Sequence, residues 1–545
     1  MTLVRRRPVF GLAVLAGAAF GCGLTPGASF ATTPSEACSA LAPFEIASDA
    51  IGLPTRGATI ASATLVASDA AGNADGEFCK ALGAIHPVDA TAPDIHFEVN
   101  LPSDWNGKAL QFGGGGYNGN LITGLDNVRF FKPGAPTPLK RGYVTFGSDS
   151  GHQSPSVADG SFAMNAEALV NFGGAQLKKT HDVALALIAK RYGAKPQRTY
   201  FFGNSQGGHE GFLVVQRWPQ DYDGVVAIHP VYDFTPLQID GNALSRELYN
   251  PEGGWLNPAK LKMLQDAVMK TCDGLDGAED GVISNVAACQ STFQLSSLRC
   301  ADGKDAGDNC LSDPQINAVE AIHSRVSFGF ALQSGVSSFA PWPILEGADW
   351  TGLFAFGSRP KPSNPPTPMK DFGLAVLSDP AVRFMATRNV NVDPLQFDPM
   401  KYKDRLQEAS RLIDASDDDI SAFKARGGKL LLMHGTVDSA VPPQNTIDYY
   451  QRLVARFGQG PLDDFVRFYI APGFGHGTGQ FVVGWDAFGA LEQWVEKGEA
   501  PGPQIVVDTR EGHRQRTRPL CVYPGWPRYV GGDIDVAASF TCVSP

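Results

Sequence analysis

The 545-residue chain has no apolar run long enough to cross a bilayer, no CxxC pair, and no basic run beyond its first residues. Each absence excludes something. A membrane-spanning helix needs about 20 consecutive apolar residues; the stretch from Val9 to Phe20 is too short, and no other segment is long enough. Without CxxC spacing a zinc site is not expected. The net charge is −11, from 45 Lys and Arg against 56 Asp and Glu, and the pI is near 5.4. That balance argues against nucleic acid as the main partner.

The N-terminus departs from this acidic background. Arg5, Arg6 and Arg7 precede the apolar stretch, and Ala28-Ser29-Phe30-Ala31 follows it. This is the layout of a signal peptide over residues 1–31, with cleavage expected after Ala31 and export to the periplasm or the exterior. The sequence does not separate the general from the twin-arginine route. Eight cysteines then remain, and an even number in an exported chain predicts a full set of disulfides. Local clustering proposes Cys38–Cys79, Cys272–Cys289, Cys300–Cys310 and Cys521–Cys542.

The densest chemical signal is Thr199-Tyr200-Phe201-Phe202-Gly203-Asn204-Ser205-Gln206-Gly207-Gly208. A β-prone run ends in G-x-S-x-G, and a helix-compatible stretch from Glu210 to Gln216 follows. This is the order of a nucleophile elbow, a sharp strand-to-helix turn that exposes the serine Oγ above a sheet. A serine nucleophile needs a base and an orienting acid, which this type of fold supplies in the order Ser, Asp, His. A predicted buried strand, Lys429 to Met433, runs into His434-Gly435-Thr436-Val437-Asp438. A second, Phe465 to Ile470, opens into Ala471-Pro472-Gly473-Phe474-Gly475-His476-Gly477. Asp438 and His476 therefore complete the expected triad with Ser205, with His476 as general base.

Three other histidines compete for that role. His434 precedes the acid on the same strand end and is expected to bond locally, His209 to line the pocket, and His152 to be structural. For the oxyanion, one donor is expected from the backbone N–H of Gln206 and another from the glycine loop Gly113 to Gly119, at Gly115 or Gly116.

The strand–helix alternation breaks between about Tyr232 and Ser416. An interval that long needs its own structure. The expected organisation is an α/β-hydrolase domain over 32–232 and 417–545, with a mostly parallel central sheet flanked by helices, and a large lid domain inserted at 233–416. Trp342, Trp350, Phe354, Phe356, Phe372 and Phe384 lie in the insertion, either lining an aromatic pocket or forming the lid core. The stretch Asp273 to Val282 concentrates acids and glycines. Carboxylates of Asp273, Asp276 and Asp280, with the carbonyls of Ala278 and Val282, form an oxygen set suited to one Ca²⁺, although the spacing is not that of an EF-hand. No organic cofactor is expected.

Together these motifs resemble the tannase and feruloyl esterase family. The likeness rests on Gly113–Gly119, Arg141 to His152, the Ser205 elbow, the Asp273–Val282 loop, the Asp438 loop, Pro472 to His476, and the ending from Arg518 to Cys542. It implies a secreted esterase cleaving esters of hydroxycinnamic, gallic or terephthalic-type acids, with a structural calcium ion in the lid. It also implies a monomer acting on a small aromatic ester. The alternatives are an amidase or peptidase on the same fold, or an inactive secreted calcium-binding protein. One departure stands out. The family typically joins a cysteine just before the nucleophile to one just after the catalytic histidine, where this chain has Asn204 and Gly477. The expectation is a branch without that staple, in which the Asn204 amide bonds to backbone near Gly477.

Overall fold

The computed structural model of the protein describes residues 33–250, 253–352, 355–365, 367–513 and 515–544. The expected signal peptide and Phe354 lie outside the described residues. A ten-stranded sheet organises the chain. Its strands are β1 (Phe44–Ile46), β2 (Ala58–Val66), β3 (Phe78–Ile85), β4 (Ile95–Pro102), β5 (Lys108–Phe112), β6 (Val144–Ser148), β7 (Arg198–Asn204), β8 (Gly224–Ile228), β9 (Lys429–Gly435) and β10 (Val466–Ala471). Their spatial order is β1-β2-β3-β4-β6-β5-β7-β8-β9-β10. The pairs from β1 to β4, and β4 with β6, are antiparallel; those from β6 to β10 are parallel. The chain thus has an α/β fold built on a mostly parallel central sheet with helices around it.

The sequence shows why the two halves differ. Val225-Val226-Ala227-Ile228 and Leu430-Leu431-Leu432-Met433 are continuous apolar runs, and every residue in them is buried, as strands covered on both faces require. In β2 only Ala58 and Ile60 are buried, so this antiparallel edge faces water over much of its length. Helix Gln206–Arg217 begins directly after β7 and is buried from Gln206 through Val215. It starts four residues earlier than the sequence suggests, because the turn leads into it without a spacer.

Between β8 and β9 the chain leaves the sheet and builds a mainly helical body. Helices Phe234–Tyr249, Pro258–Cys272, Asp313–Ile322, Gly373–Pro380 and Lys403–Ile413 surround one apolar cluster. Trp342, Trp350, Phe356 and Phe372 are buried inside it and Phe384 packs against it, so these rings form the core of the inserted body and do not line a pocket at Ser205. The same cluster takes in Tyr117, Val437, Ala440 and Val441 from the loops above the sheet, which packs the insertion onto the site. Disulfides join Cys38–Cys79, Cys272–Cys289, Cys300–Cys310 and Cys521–Cys542. No helix among the described residues is long and apolar enough to cross a membrane.

Candidate active site

Strand register brings the chemistry together. Asn204 pairs with Ile228, Ile228 with Met433, and Gly435 with Ala471. The loops that follow carry Ser205, His229, Asp438 and His476 to the carboxyl edge, where open parallel sheets bind ligands.

Ser205 has φ 59° and ψ −120°, a conformation unfavourable for any residue with a side chain. Its N–H donates to the Ile228 carbonyl at 2.9 Å, and its own carbonyl accepts from the His209 N–H at 3.0 Å. The flanking glycines are steric necessities. A Cβ on residue 203 would lie 2.0 Å from the Gly207 carbonyl oxygen, and one on residue 207 would lie 3.0 Å from Gly113 C and Gly114 O.

His476 Nδ1 lies 2.8 Å from Asp438 Oδ2. Asp438 is fully buried, and its Oδ1 accepts from the N–H groups of Ala440 at 2.8 Å and Val441 at 2.9 Å. Burial alone would raise its pKa, but the facing His476 and His434 outweigh burial and hold it well below the usual carboxylate range. An ionised Asp438 fixes the proton of His476 on Nδ1 and leaves Nε2 free of it, the form a general base needs. His476 and Ser205 share a cavity of about 100 Å³, with Gly116, Val157, Gln206, Phe234, Leu377 and Val441 among its walls. A larger cavity of about 580 Å³, walled by Trp342, Tyr523 and Trp526 among others, contains none of Ser205, Asp438 and His476. The candidate nucleophile and base therefore meet at the smaller one.

The glycine loop narrows the choice of oxyanion donors. Gly113 N–H donates to Phe202 O at 3.0 Å, and Gly114 N–H to Glu210 Oε2 at 2.8 Å. Tyr117 N–H donates to Val157 O at 2.7 Å, and Asn118 N–H to Gly115 O at 2.8 Å. Among the described hydrogen bonds the N–H groups of Gly115, Gly116 and Gln206 have no acceptor, and Gly116 and Gln206 line the cavity. The amide oxygen and nitrogen of the Gln206 side chain are also buried without a protein partner, which leaves them available to a ligand.

Two residues of this site are not singled out by the sequence. Glu210 is buried under the glycine loop, where besides Gly114 N–H it accepts from Asn118 Nδ2 at 2.8 Å and Gln176 Nε2 at 3.2 Å. Burial pushes its carboxyl up to about 7 against the pull of these donors. An acid one turn beyond the serine, on a helix otherwise buried, was the available signal. The second is His229, whose Nδ1 is 3.0 Å from Asn204 Oδ1. The Asn204 side chain thus meets a histidine at the end of the next strand, and no hydrogen bond among the described residues joins it to Gly477. Over Gly477, an added Cβ would come closest to the Phe130 ring.

The competing histidines are spoken for. His434 bonds Thr446 Oγ1 and the Val441 carbonyl, each at 2.9 Å. His152 bonds the Tyr117 carbonyl at 2.8 Å and stacks on Phe162. His209 does not line the cavity; it is buried against the Ile413 carbonyl at 2.8 Å, and burial lowers its pKa to about 3.

A strained serine turn, a buried aspartate on a histidine and spare N–H donors on one cavity are what an ester hydrolase requires, and comparison with known proteins agrees. Residues 79–543 match the model of the family described as tannase and feruloyl esterase. The chain belongs to the tannase and feruloyl esterase family. It is 41% identical over 515 residues to an uncharacterized esterase of Agrobacterium fabrum, covering 93% of this chain and 92% of that protein. It is 30% identical over 531 residues to mono(2-hydroxyethyl) terephthalate hydrolase of Piscinibacter sakaiensis, covering 86% and 85%. Its fold is similar to that of feruloyl esterase B from Aspergillus oryzae, with a TM-score of 0.75 at 23% identity over 93% of this chain and all of that one. This member of the family is a carboxylic ester hydrolase.

Proposed function

We propose that the protein is an exported serine esterase that cleaves esters of hydroxycinnamic, gallic or terephthalic-type acids through an acyl-enzyme. The observation that carries this reading is the 2.8 Å contact of His476 with buried Asp438, on a cavity shared with Ser205. Ser205 Oγ attacks the ester carbonyl as its proton passes to His476 Nε2, and Asp438 stabilises the imidazolium that forms. The N–H of Gln206, with that of Gly116 or Gly115, receives the oxyanion. His476 then returns the proton to the leaving alcohol, and water repeats the sequence on the acyl-enzyme. The apolar walls from Val157, Phe234, Leu377 and Val441 suit an aromatic acyl group. A panel of aromatic esters and matched amides, assayed on wild type and Ser205→Ala, tests the reading. Hydrolysis of amides at the rate of esters would move the assignment to an amidase or peptidase, and Ser205-independent turnover would end it.

In the insertion, Asp273, Asp276 and Asp280 with the carbonyls of Ala278 and Val282 are the residues that would hold a structural Ca²⁺. The donor chemistry fits a hard cation. Asp276 is 2% exposed, and its carboxylate accepts from the backbone N–H groups of Ala278 and Ser284, each at 3.0 Å. Burial pushes it up to about 6, with the charge of Asp280 adding to the effect. Arg518 pairs with Asp280 from outside the loop, and Arg516 Nη1 donates to its carbonyl at 2.8 Å. When bound, the ion would add positive charge beside these carboxylates and fix the loop next to Cys272–Cys289; it takes no part in the reaction. Monomeric action on a small ester accompanies this reading. Asn204 and Gly477, where relatives would carry bonded cysteines, suggest a branch held together at the site by other means, its four disulfides lying elsewhere.

A further inference from the structure

His229 is fully buried at the centre of the site, yet none of the roles above uses it. Its backbone has φ 45°, in the left-handed region that residues with side chains adopt rarely and keep only where the surroundings impose it. Two main-chain bonds impose it here. The His229 N–H donates to the Met433 carbonyl at 2.9 Å, and the preceding Ile228 carbonyl accepts from Ser205 N–H at 2.9 Å. This backbone directs the imidazole into the space between the serine turn and the acid–base pair.

The ring touches both sides of that space. Nδ1 is 3.0 Å from Asn204 Oδ1, and an amide oxygen only accepts, so Nδ1 carries the proton. Nε2 faces Asp438 Oδ2 at 4.0 Å and makes no hydrogen bond. The ring centroid lies 5.1 Å from that of His476 and 5.1 Å from that of His434. Phe130 at 5.6 Å and Phe474 at 4.8 Å close the remaining sides. Burial keeps the imidazole neutral, with the Asp438 charge opposing that effect and His434 and His476 adding to it.

We propose that His229 is a positioning residue for ester hydrolysis: it ties Asn204, and so the turn carrying Ser205, to the Asp438–His476 pair. The inference rests on the triad assignment above. Ser205 and its base stand on loops far apart in sequence. They stay in register only if the strand ends beneath them are fixed, and a misplacement of about 1 Å at a reacting pair costs on the order of 100-fold in rate. Through its main chain His229 joins β8 to β9; through its side chain it joins β8 to the residue before the nucleophile. It touches no reacting atom.

The test compares Asn204→Ala, His229→Phe, the double variant and His229→Asn. Phenylalanine keeps the ring volume without the bond to Asn204, whereas asparagine offers a shorter amide donor and tolerates positive φ. With an aromatic ester, Asn204→Ala and His229→Phe are each expected to lower kcat by roughly tenfold or more while KM stays within about threefold. Their losses should not multiply in the double variant, because both remove one link. His229→Asn should recover most of the kcat. A kcat for His229→Phe or Asn204→Ala within about threefold of wild type would overturn the proposal, as would a loss confined to KM, losses that multiply in the double variant, or a His229→Asn variant no better than His229→Phe. If His229→Phe does not fold, Asn204→Ala and His229→Asn decide by the same limits. Ser205→Ala runs alongside: full activity there would overturn the triad itself, whereas an inactive Ser205→Ala with an active His229→Phe overturns only this inference.

Discussion

Asp438 and Asp276 are both almost sealed from water, and their carboxylates are driven in opposite directions. Each accepts two backbone N–H bonds. What differs is the company. Around Asp438 stand His476 and His434, and their effect exceeds that of burial, so the carboxylate stays ionised. Around Asp276 stands another carboxylate, Asp280, and burial pushes it up to about 6. Burial favours the neutral acid in both places; the neighbours decide the outcome. One buried aspartate is thus prepared to support an imidazolium, and the other is short of positive charge, which is what a cation would supply.

The largest effects should come from removing the groups that Asp438 serves. Ser205→Ala and His476→Ala are each expected to lower kcat on an aromatic ester by about 10⁴-fold or more, with KM little changed. Near-normal kcat in His476→Ala would break the comparison at once, since Asp438 would then have no base to orient. Asp438→Asn is expected to cost a similar or smaller factor, on the order of 10³–10⁴, by favouring the wrong imidazole tautomer. Activity should also decline on acidification, because a protonated imidazole accepts no proton.

The same substitution sharpens the electrostatic side. The pKa of Asp438 is depressed on folding, so its ionic contribution to stability is complete above the unfolded carboxylate range, near about pH 4, and disappears as pH falls through the lower folded value. Thermal melts of wild type and Asp438→Asn should therefore keep a constant gap from neutral pH down to mildly acidic pH and converge only below that range. A gap that closed between pH 7 and 5 would contradict the depressed value.

Glu210 tests an intermediate case, a buried acid with neutral donors only. Glu210→Ala leaves the Gly114 N–H and the Asn118 amide without their acceptor, which should destabilise the protein by about 1–3 kcal/mol. It should lower kcat more than it raises KM if the glycine loop carries the proposed oxyanion donor. An unchanged kcat would detach that loop from the reaction.

The smallest effect on chemistry is expected at Asp276. Chelation, or Asp276→Ala with Asp280→Ala, should lower Tm by several degrees and leave the kcat of the folded fraction within about twofold of wild type. Metal analysis of purified protein that found no calcium would end that half of the comparison.

Much of the site was legible in the sequence because its constraints are local. A turn as sharp as the one at Ser205 requires glycine at 203 and 207, where a Cβ would collide with backbone, and so it announces itself within five residues. Asp438 and His476 could be named from chain order, because each follows a buried apolar strand that has to end at the same edge. The cysteines pair across short separations, which made locality a sound guide.

Tertiary structure decided what depends on register and burial. That Asn204 bonds His229 and not the segment around Gly477 follows from the pairing of β7 with β8, which sets Asn204 opposite Ile228. Which glycine N–H groups remain free was settled by Phe202 and Glu210, residues about 90 positions beyond the loop. The aromatics of the insertion became core because five helices closed around them. By itself the sequence determined backbone sterics, strand identity and the order of the candidate catalytic groups, since these are written within a few residues. Protonation, hydrogen-bond partners and cavity walls were decided only on folding, because each is set by the dielectric and the neighbours that distant segments bring to one place.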